Sequence, residues 1–136
     1  MQTSNEPAKI LVVDDDPEAR GFLSVYLKKQ NYLFDEAEDG EQALEKIHKF
    51  APDVILLDIL MPKLTGDELV KMITIWKPNI QVIMTTALSD QEIKSECLRN
   101  GAFACADKPI DLKNLMSLIK KALVKISERN QQVSIQ

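Results

Sequence analysis

Three acidic residues, one lysine and one threonine follow short apolar runs in this sequence. Side chains at the ends of such runs often take part in catalysis or ligand binding. These residues are Asp14, Asp15, Asp58, Thr86 and Lys108. Carboxylates that converge repel one another unless a cation lies among them. Without histidine or thiolate ligands, their oxygens suit Mg²⁺ best. Metal and lysine would neutralise phosphoryl oxygens, the hydroxyl would orient one of them, and a carboxylate would attack in line. The set indicates a site that handles a phosphoryl group.

Asp58 has the most informative position of these residues. It follows the unbroken apolar run 54–57, which opens after Pro52 and Asp53. A strand that is apolar on both faces lies in the middle of a parallel sheet covered on both sides. Ligands bind at the carboxyl edge of such sheets. This segment taken alone supports two interpretations of Asp58 equally well. Asp58 is either a nucleophile or metal ligand at that edge, or a turn residue that ends the strand.

Strand and helix patterns alternate along the chain. The other strand patterns are 9–13, 32–37, 80–85 and 103–106. Helix starts are predicted near Asp16, Asp39, Thr65, Ser89 and Asp111, all of them residues that cap helices. The helical positions predicted to be buried are, in order, Ala19, Phe22, Leu23, Tyr26, Leu27, Ala43, Leu44, Ile47, Leu69, Met72, Ile73, Trp76, Ile93, Cys97, Leu98, Leu112, Leu115, Met116, Ile119, Ala122, Leu123 and Ile126.

This alternation predicts an α/β fold. Five strands joined to five helices by short loops imply right-handed βαβ units and a three-layer sandwich. Such a sheet reverses its winding direction beside the first strand, and its crevice lies between strands one and three. That topology places Asp14 and Asp15 beside Asp58.

Composition limits the classes of protein that remain. The chain has 136 residues, 45% hydrophobic and 28% charged, which suits one globular domain. A net charge of −4 argues against a nucleic-acid surface, and no apolar run approaches the length of a membrane span. The polar N-terminus predicts no signal peptide, hence a cytoplasmic location. The chain has two cysteines, Cys97 and Cys105, and one histidine, too few for a disulfide framework or a structural zinc site. We expect both cysteines to be small buried thiols.

Other functions of the same fold class fit the residues less well. A flavin site needs a hydroxyl- and glycine-rich phosphate loop after the first strand, where 14–16 would instead repel a phosphate. No dinucleotide-binding or P-loop glycine motif occurs. A haloacid-dehalogenase-type phosphatase would need a second acid two residues after Asp58, where Leu60 stands.

Four sequence motifs together resemble the receiver domain of two-component response regulators. The motifs are Val12-Val13-Asp14-Asp15, Leu56-Leu57-Asp58-Ile59-Leu60-Met61-Pro62, Thr85-Thr86-Ala87 and Asp107-Lys108-Pro109. The resemblance covers residues 8–127 as the receiver domain, with a disordered tail at 1–7 and a polar tail or linker at 128–136. It implies a flavodoxin-like (βα)5 sandwich with strand order 2-1-3-4-5.

The resemblance also assigns roles to the site residues. Asp58 would accept a phosphoryl group from a sensor histidine kinase, Thr86 would bond a phosphoryl oxygen, and Lys108 would pair with the phosphate. Mg²⁺ would be held by Asp14, Asp15, Asp58 and the backbone carbonyl of Leu60. The bond before Pro109 would be cis.

One position departs from the family. Receiver domains usually carry tyrosine or phenylalanine three residues before the lysine, and Cys105 stands there. The family's aromatic account of switching therefore does not carry over, and we expect the loop at 86–90 to move more than Cys105. Leu60 and Leu88, which flank the water path in receivers, predict slow self-dephosphorylation because neither activates water.

The resemblance predicts a signalling switch rather than a metabolic enzyme. Its partners would be a sensor kinase and an output domain or partner protein, with no nucleic acid or membrane bound by this domain. The face built from helix 4, strand 5 and helix 5 would change on phosphorylation, and a homodimer through it is possible. Two uses stay open, a stand-alone receiver that docks on a partner and the N-terminal receiver of a longer regulator.

Overall fold

The two wholly apolar runs form the central strands of a five-stranded parallel sheet. The computed structural model describes residues 6–61, 64–87 and 91–135, with side chains as far as residue 130. The strands are β1 (Lys9–Val13), β2 (Leu33–Ala37), β3 (Val54–Asp58), β4 (Gln81–Thr86) and β5 (Ala104–Asp107). The helices are α1 (Pro17–Lys29), α2 (Gly40–Phe50), α3 (Gly66–Trp76), α4 (Gln91–Arg99) and α5 (Leu112–Ile135).

The strand order is β2-β1-β3-β4-β5, which confirms the predicted order 2-1-3-4-5. All four strand pairs are parallel, so every strand delivers its carboxyl end to the same edge. Asp58 lies opposite Thr85, and Thr86 lies opposite Asp107. β4 and β5 each end one residue later than predicted, which brings Thr86 and Asp107 into the ladder.

Each face of the sheet has its own hydrophobic core. Alternate residues of β1 and β3 point to opposite faces, as the period of a strand requires. Leu11 and Leu57 pack with α2, α3 and α4, whereas Val12 and Leu56 pack with α1 and α5. These four side chains are at most 1% exposed. Burying a side chain of this size stabilises a fold by roughly 1.5–3 kcal/mol, so the three-layer arrangement follows from these runs.

Side-chain caps fix the starts of four helices as predicted. Asp16 accepts from the backbone N–H of Glu18 at 3.0 Å. Asp39 caps α2 through a 2.8 Å bond from the backbone N–H of Gln42. At α3, Glu68 Oε1 accepts from the backbone N–H and the hydroxyl of Thr65, and Asp111 accepts from the N–H of Lys113 at 3.0 Å. The cap predicted at Ser89 lies outside the described residues.

Four helical positions predicted to be buried are exposed. The exposed fractions are Phe22 57%, Met72 43%, Trp76 43% and Leu98 47%. Phe22, Met72 and Leu98 are each next in sequence to a buried residue (Leu23, Ile73 and Cys97), and Trp76 lies one turn after Ile73. Successive residues lie about 100° apart around a helix, so a small rotation decides which apolar residue faces the sheet. Trp76 therefore does not close the core.

The segment 128–136, predicted as a polar tail or linker, continues α5 as far as Ile135. No glycine or proline interrupts the helix there, and glutamate, arginine and glutamine favour helix. Arg129 also donates to the backbone carbonyl of Pro78 at 2.9 Å. Of the described helices, none combines the length and apolarity needed to cross a membrane.

We expect Ser24→Ala to raise the free energy of unfolding by about 1 kcal/mol. The Ser24 hydroxyl is buried in α1 and has no hydrogen-bond partner among the described residues, and an unsatisfied buried polar group costs about 1–3 kcal/mol. Urea unfolding measures the change. Ser117→Ala, at an exposed position of α5, corrects for helix propensity alone. A Ser24→Ala protein less stable than wild type would contradict the expectation.

Candidate functional site

Three carboxylates converge at the carboxyl edge of the sheet, between β1 and β3. Asp14 follows β1 directly, and its backbone N–H donates to Ala37 O at 3.1 Å, which continues the β1–β2 ladder by one residue. Asp58 ends β3. Both are nearly buried, at 3% and 6% exposure, whereas Asp15 is exposed. One oxygen of each of the three lies within 4.8 Å of the others. The structure thus brings together the predicted acidic cluster.

Lys108 reaches into this cluster from the end of β5. Its Nζ lies 2.9 Å from Asp14 Oδ2 and 3.4 Å from Asp58 Oδ2. The backbone holds it there, because the Lys108 N–H donates to Thr86 O at 2.8 Å. The following bond to Pro109 is cis, as predicted. Two acids and a lysine, separated by 44 and 50 residues in sequence, therefore form one ionic cluster.

Charge and burial oppose each other at this cluster. Burial raises the pKa of Asp58; the Lys108 charge lowers it, the Asp14 charge raises it again, and the net result is a raised pKa. Burial alone would lower the pKa of Lys108, but its hydrogen bond to Asp14 and the charges of both acids outweigh this and raise it. Lys108 therefore carries its positive charge at neutral pH, whereas the ionisation of Asp58 is disfavoured.

The remaining predicted site residues flank Asp58. The backbone N–H of Leu60 donates to Asp58 Oδ1 at 3.3 Å, which orients that carboxylate. The Leu60 side chain is 54% exposed. Thr86, 1% exposed, ends β4 beside Lys108. Metal binding by the Leu60 carbonyl and phosphoryl binding by the Thr86 hydroxyl stay predictions. Leu88 lies outside the described residues.

The donor set fits a hard divalent cation. All three side chains offer carboxylate oxygens, the ligand type that Mg²⁺ prefers. Two of them are nearly buried, and among the described residues Lys108 is the cation paired with both, so a second cation would relieve their repulsion. Asp14, Asp15 and Asp58 are the residues that would hold it.

Sequence reasoning missed two residues that shape this site. Arg20 donates to the Asp14 backbone carbonyl at 2.7 Å and to Glu36 at 3.3 Å, and so ties the acidic loop to α1 and β2. Gly66 donates to Ile59 O at 2.8 Å, and a Cβ there would lie 2.5 Å from Asp58 O. The only signals in sequence were a cation five residues after Asp15 and a glycine at a helix start.

The cysteines and the histidine are not part of the cluster. Cys97 is fully buried and Cys105 half-buried, in the core formed with α3 and α4. Burial raises the pKa of the Cys97 thiol to about 11 and also raises that of Cys105, so both are poor nucleophiles. His48 is exposed, on α2.

Several known proteins resemble this chain in sequence. A model of the response regulator receiver domain matches residues 10–120. The chain is 35% identical over 115 residues to sporulation initiation phosphotransferase F of Bacillus subtilis (strain 168), over 85% of this chain and 93% of that protein. It is 37% identical over 120 residues to transcriptional regulatory protein ZraR of Klebsiella oxytoca, over 88% of this chain but only 27% of ZraR.

Solved structures extend the likeness to three dimensions. A CheY-like response regulator receiver domain protein from Methanospirillum hungatei JF-1 superposes with a TM-score of 0.86 at 28% identity, over 90% of this chain and 98% of that one. The match of 111 residues to the family model, the shared strand order and the converging acids lead to one conclusion. This chain belongs to the response regulator receiver domain family.

Proposed function

We propose that this receiver domain is a switch that accepts a phosphoryl group on Asp58 from the phosphohistidine of a sensor histidine kinase. The observation that carries the proposal is the contact of Lys108 with both Asp14 and Asp58, at 2.9 and 3.4 Å. A carboxylate oxygen of Asp58 forms a bond to phosphorus while the phosphorus–nitrogen bond to histidine breaks. The released histidine nitrogen takes a proton from solvent, so the exchange is balanced.

Each side chain has a separate task in this exchange. The Leu60 N–H holds one oxygen of Asp58 and leaves the other to attack. Lys108 stands where it can neutralise a phosphoryl oxygen, and the Thr86 hydroxyl bonds another. Asp14, Asp15, Asp58 and the Leu60 carbonyl would hold Mg²⁺. When bound, Mg²⁺ supplies positive charge to the oxygens of the transferring group.

The chemistry is confined to the protein's own phosphorylation and dephosphorylation, so it is not a metabolic enzyme. The output is a change in the face formed by α4, β5 and α5, which binds an output domain, a partner protein or a second copy. Charges support the last choice, because α5 carries exposed Lys120 and Lys121 whereas α4 carries exposed Glu92 and Glu96. Size-exclusion chromatography with light scattering, with and without phosphorylation, tests for the dimer.

The relatives leave two arrangements open for the whole protein. The chain spans 93% of the Bacillus phosphotransferase, which favours a stand-alone receiver, but 27% of ZraR, which favours the N-terminal part of a longer regulator. The long helix α5 suits a connection to a following domain. The complete reading frame distinguishes them.

We expect Asp15→Ala to weaken Mg²⁺ binding at least about tenfold, because it removes a carboxylate ligand. Isothermal titration calorimetry measures the dissociation constant. Glu18→Gln is the matched control, since it removes one exposed acidic charge of α1 outside the cluster. Equal weakening in both variants would mean that net charge, and not a ligand at position 15, sets the affinity.

Phosphorylated wild-type protein is expected to lose its phosphoryl group slowly, and Leu60→Asn about tenfold faster. The exposed Leu60 side chain next to Asp58 cannot orient a water molecule for attack, whereas an amide can. Decay is followed after removal of the donor, with Leu88→Glu as a second variant. Ile75→Asn, a change at a 78% exposed residue of α3, is the control. Decay no faster in Leu60→Asn and Leu88→Glu than in wild type would show that the leucines do not protect the phosphoryl group.

A further inference from the structure

An ion pair ties α4 to the end of β5, one residue before Lys108. Lys94 Nζ lies 2.5 Å from Asp107 Oδ1. The Lys94 side chain is 13% exposed and that of Asp107 is 70% exposed. Fully exposed ion pairs contribute little to stability. A lysine withdrawn from water to this extent depends on its partner, because opening the pair leaves a poorly solvated charge. This pair therefore holds α4 against β5.

Cys105 makes a second contact between the same elements. Its Sγ lies 4.0 Å from the backbone carbonyl oxygen of Lys94. This is the position at which receiver domains usually carry an aromatic ring. A thiol is small and stays buried with little rearrangement. Cys105 therefore cannot signal phosphorylation by moving a bulky side chain. Lys94 instead meets β5 at two points, through its carbonyl oxygen and through its ammonium group.

Asp107 is also joined to both residues that would contact the phosphoryl group. It precedes Lys108 in the chain and lies opposite Thr86 in the β4–β5 ladder. The Lys108 N–H donates to Thr86 O at 2.8 Å. Phosphorylation adds negative charge at Asp58, which draws the Lys108 ammonium and the Thr86 hydroxyl toward it. A shift of these two residues would displace Asp107 relative to α4.

We propose that the Lys94–Asp107 pair holds α4 in its unphosphorylated position and that phosphorylation of Asp58 opens it. The proposal rests on the function proposed above, with Asp58 as acceptor. The pair would link the site around Asp58 to the face formed by α4, β5 and α5 without an aromatic residue at position 105. Because the pair belongs to one of two states, its removal must favour the other state and tighten the binding of any ligand selective for it.

The test is the affinity for beryllofluoride, a phosphoryl mimic, in the presence of Mg²⁺. We expect Lys94→Met and Asp107→Asn each to bind it about fivefold or more tightly than wild type. The control is Glu96→Gln, which removes an ion pair with Arg99 on the same helix, where both side chains are more than half exposed. Its affinity should equal that of wild type.

The two variants separate the proposal from simple electrostatics. Asp107→Asn removes a negative charge near an anion site and Lys94→Met removes a positive one, so long-range charge effects alone would change the affinity in opposite directions. Opposite changes, or no change in either variant, overturn the proposal. The charge-reversed double variant Lys94→Asp with Asp107→Lys should restore the wild-type affinity, and a double variant that binds as tightly as the single variants counts against the pair.

Hydrogen exchange in α4 distinguishes failure of this proposal from failure of the proposed function. Without any ligand, amide exchange at 91–99 should be faster in Lys94→Met than in Glu96→Gln. Equal exchange rates contradict the anchoring role of the pair. Wild-type protein that binds no beryllofluoride, or binds it equally well as Asp58→Asn, contradicts the proposed function instead, and the exchange result still decides whether the pair holds α4.

Discussion

Replacing Asp58 by asparagine is expected to abolish phosphorylation of the protein. Wild-type protein incubated with Mg²⁺ and a small acyl phosphate should gain one phosphoryl group, because Lys108 and the Leu60 N–H orient the Asp58 carboxylate for attack. An asparagine amide has no carboxylate oxygen to attack phosphorus. Intact-mass measurement detects the added group, and peptide mapping assigns it to position 58.

The matched control for this variant is Asp53→Asn. Asp53 lies at the opposite end of the same strand, where Oδ2 accepts from the Lys9 N–H at 2.8 Å, a bond that an asparagine oxygen can also accept. The variant changes net charge by the same amount and should be labelled like wild type. Equal labelling of Asp58→Asn and wild type, or labelling of Asp14 instead, would refute the assignment of Asp58.

Loss of labelling in Asp58→Asn should not reflect misfolding. Burial raises the pKa of Asp58 above its ordinary value of 3.8 in the native state, so the folded protein binds this proton more tightly than the unfolded chain does. The stability gained from that proton is complete below the ordinary value and is lost as the pH rises through the native pKa. At neutral pH the ionised group therefore costs stability, and the neutral variant should melt no lower than wild type in Mg²⁺-free buffer.

Gly66→Ala is expected to destabilise the protein by about 1–3 kcal/mol, with a fall in melting temperature of roughly 5–15 °C. A Cβ at Gly66 would lie 2.5 Å from Asp58 O, 2.7 Å from Ile59 Cα and 3.0 Å from Met84 Cε. Two of these three are backbone atoms of the segment that carries the phosphoryl acceptor. They cannot yield without moving Asp58, so the rate of phosphorylation should fall together with stability.

Gly21→Ala gives the comparison. Gly21 lies in α1, and a Cβ there would meet nothing within 4 Å. Alanine favours a helix over glycine by about 1 kcal/mol, so this variant should be slightly more stable than wild type and equally well phosphorylated. Thermal denaturation followed by circular dichroism measures both variants. A Gly66→Ala protein as stable as Gly21→Ala would show that the start of α3 can move away from β3 freely.

The order of the elements and the place of the acids could be predicted from the sequence. The apolar run at 54–57 indicates a central strand. The cap residues Asp16, Asp39 and Thr65 form hydrogen bonds with the first turn of the helix that each one precedes. These signals are local, because they depend on periodicity and on hydrogen bonds that span a few residues. Parallel strands then deliver their ends to one edge, which explains why Asp14 and Asp58 were expected together.

Tertiary structure alone decided which apolar side chains are buried. The exposure of Phe22 and Leu98 depends on the rotation of α1 and α4 on the sheet, which is set by every contact that each helix makes. The continuation of α5 through residues 128–135 is different, because it follows from residues that favour helix and from the lack of glycine and proline in this segment. Helix rotation is determined by packing, and hydrophobic periodicity does not specify it.

Tertiary structure also decided the contacts that control the site. Arg20 to the Asp14 carbonyl, Gly66 against Asp58, and Lys94 to Asp107 join residues from different elements. Arg20, Gly66 and Lys94 are ordinary residue types for a helix surface or a helix start, so the sequence marks none of these three as special. Such pairs form only when packing brings two elements to within a few ångströms, a distance that depends on the whole sheet and its helices rather than on either segment.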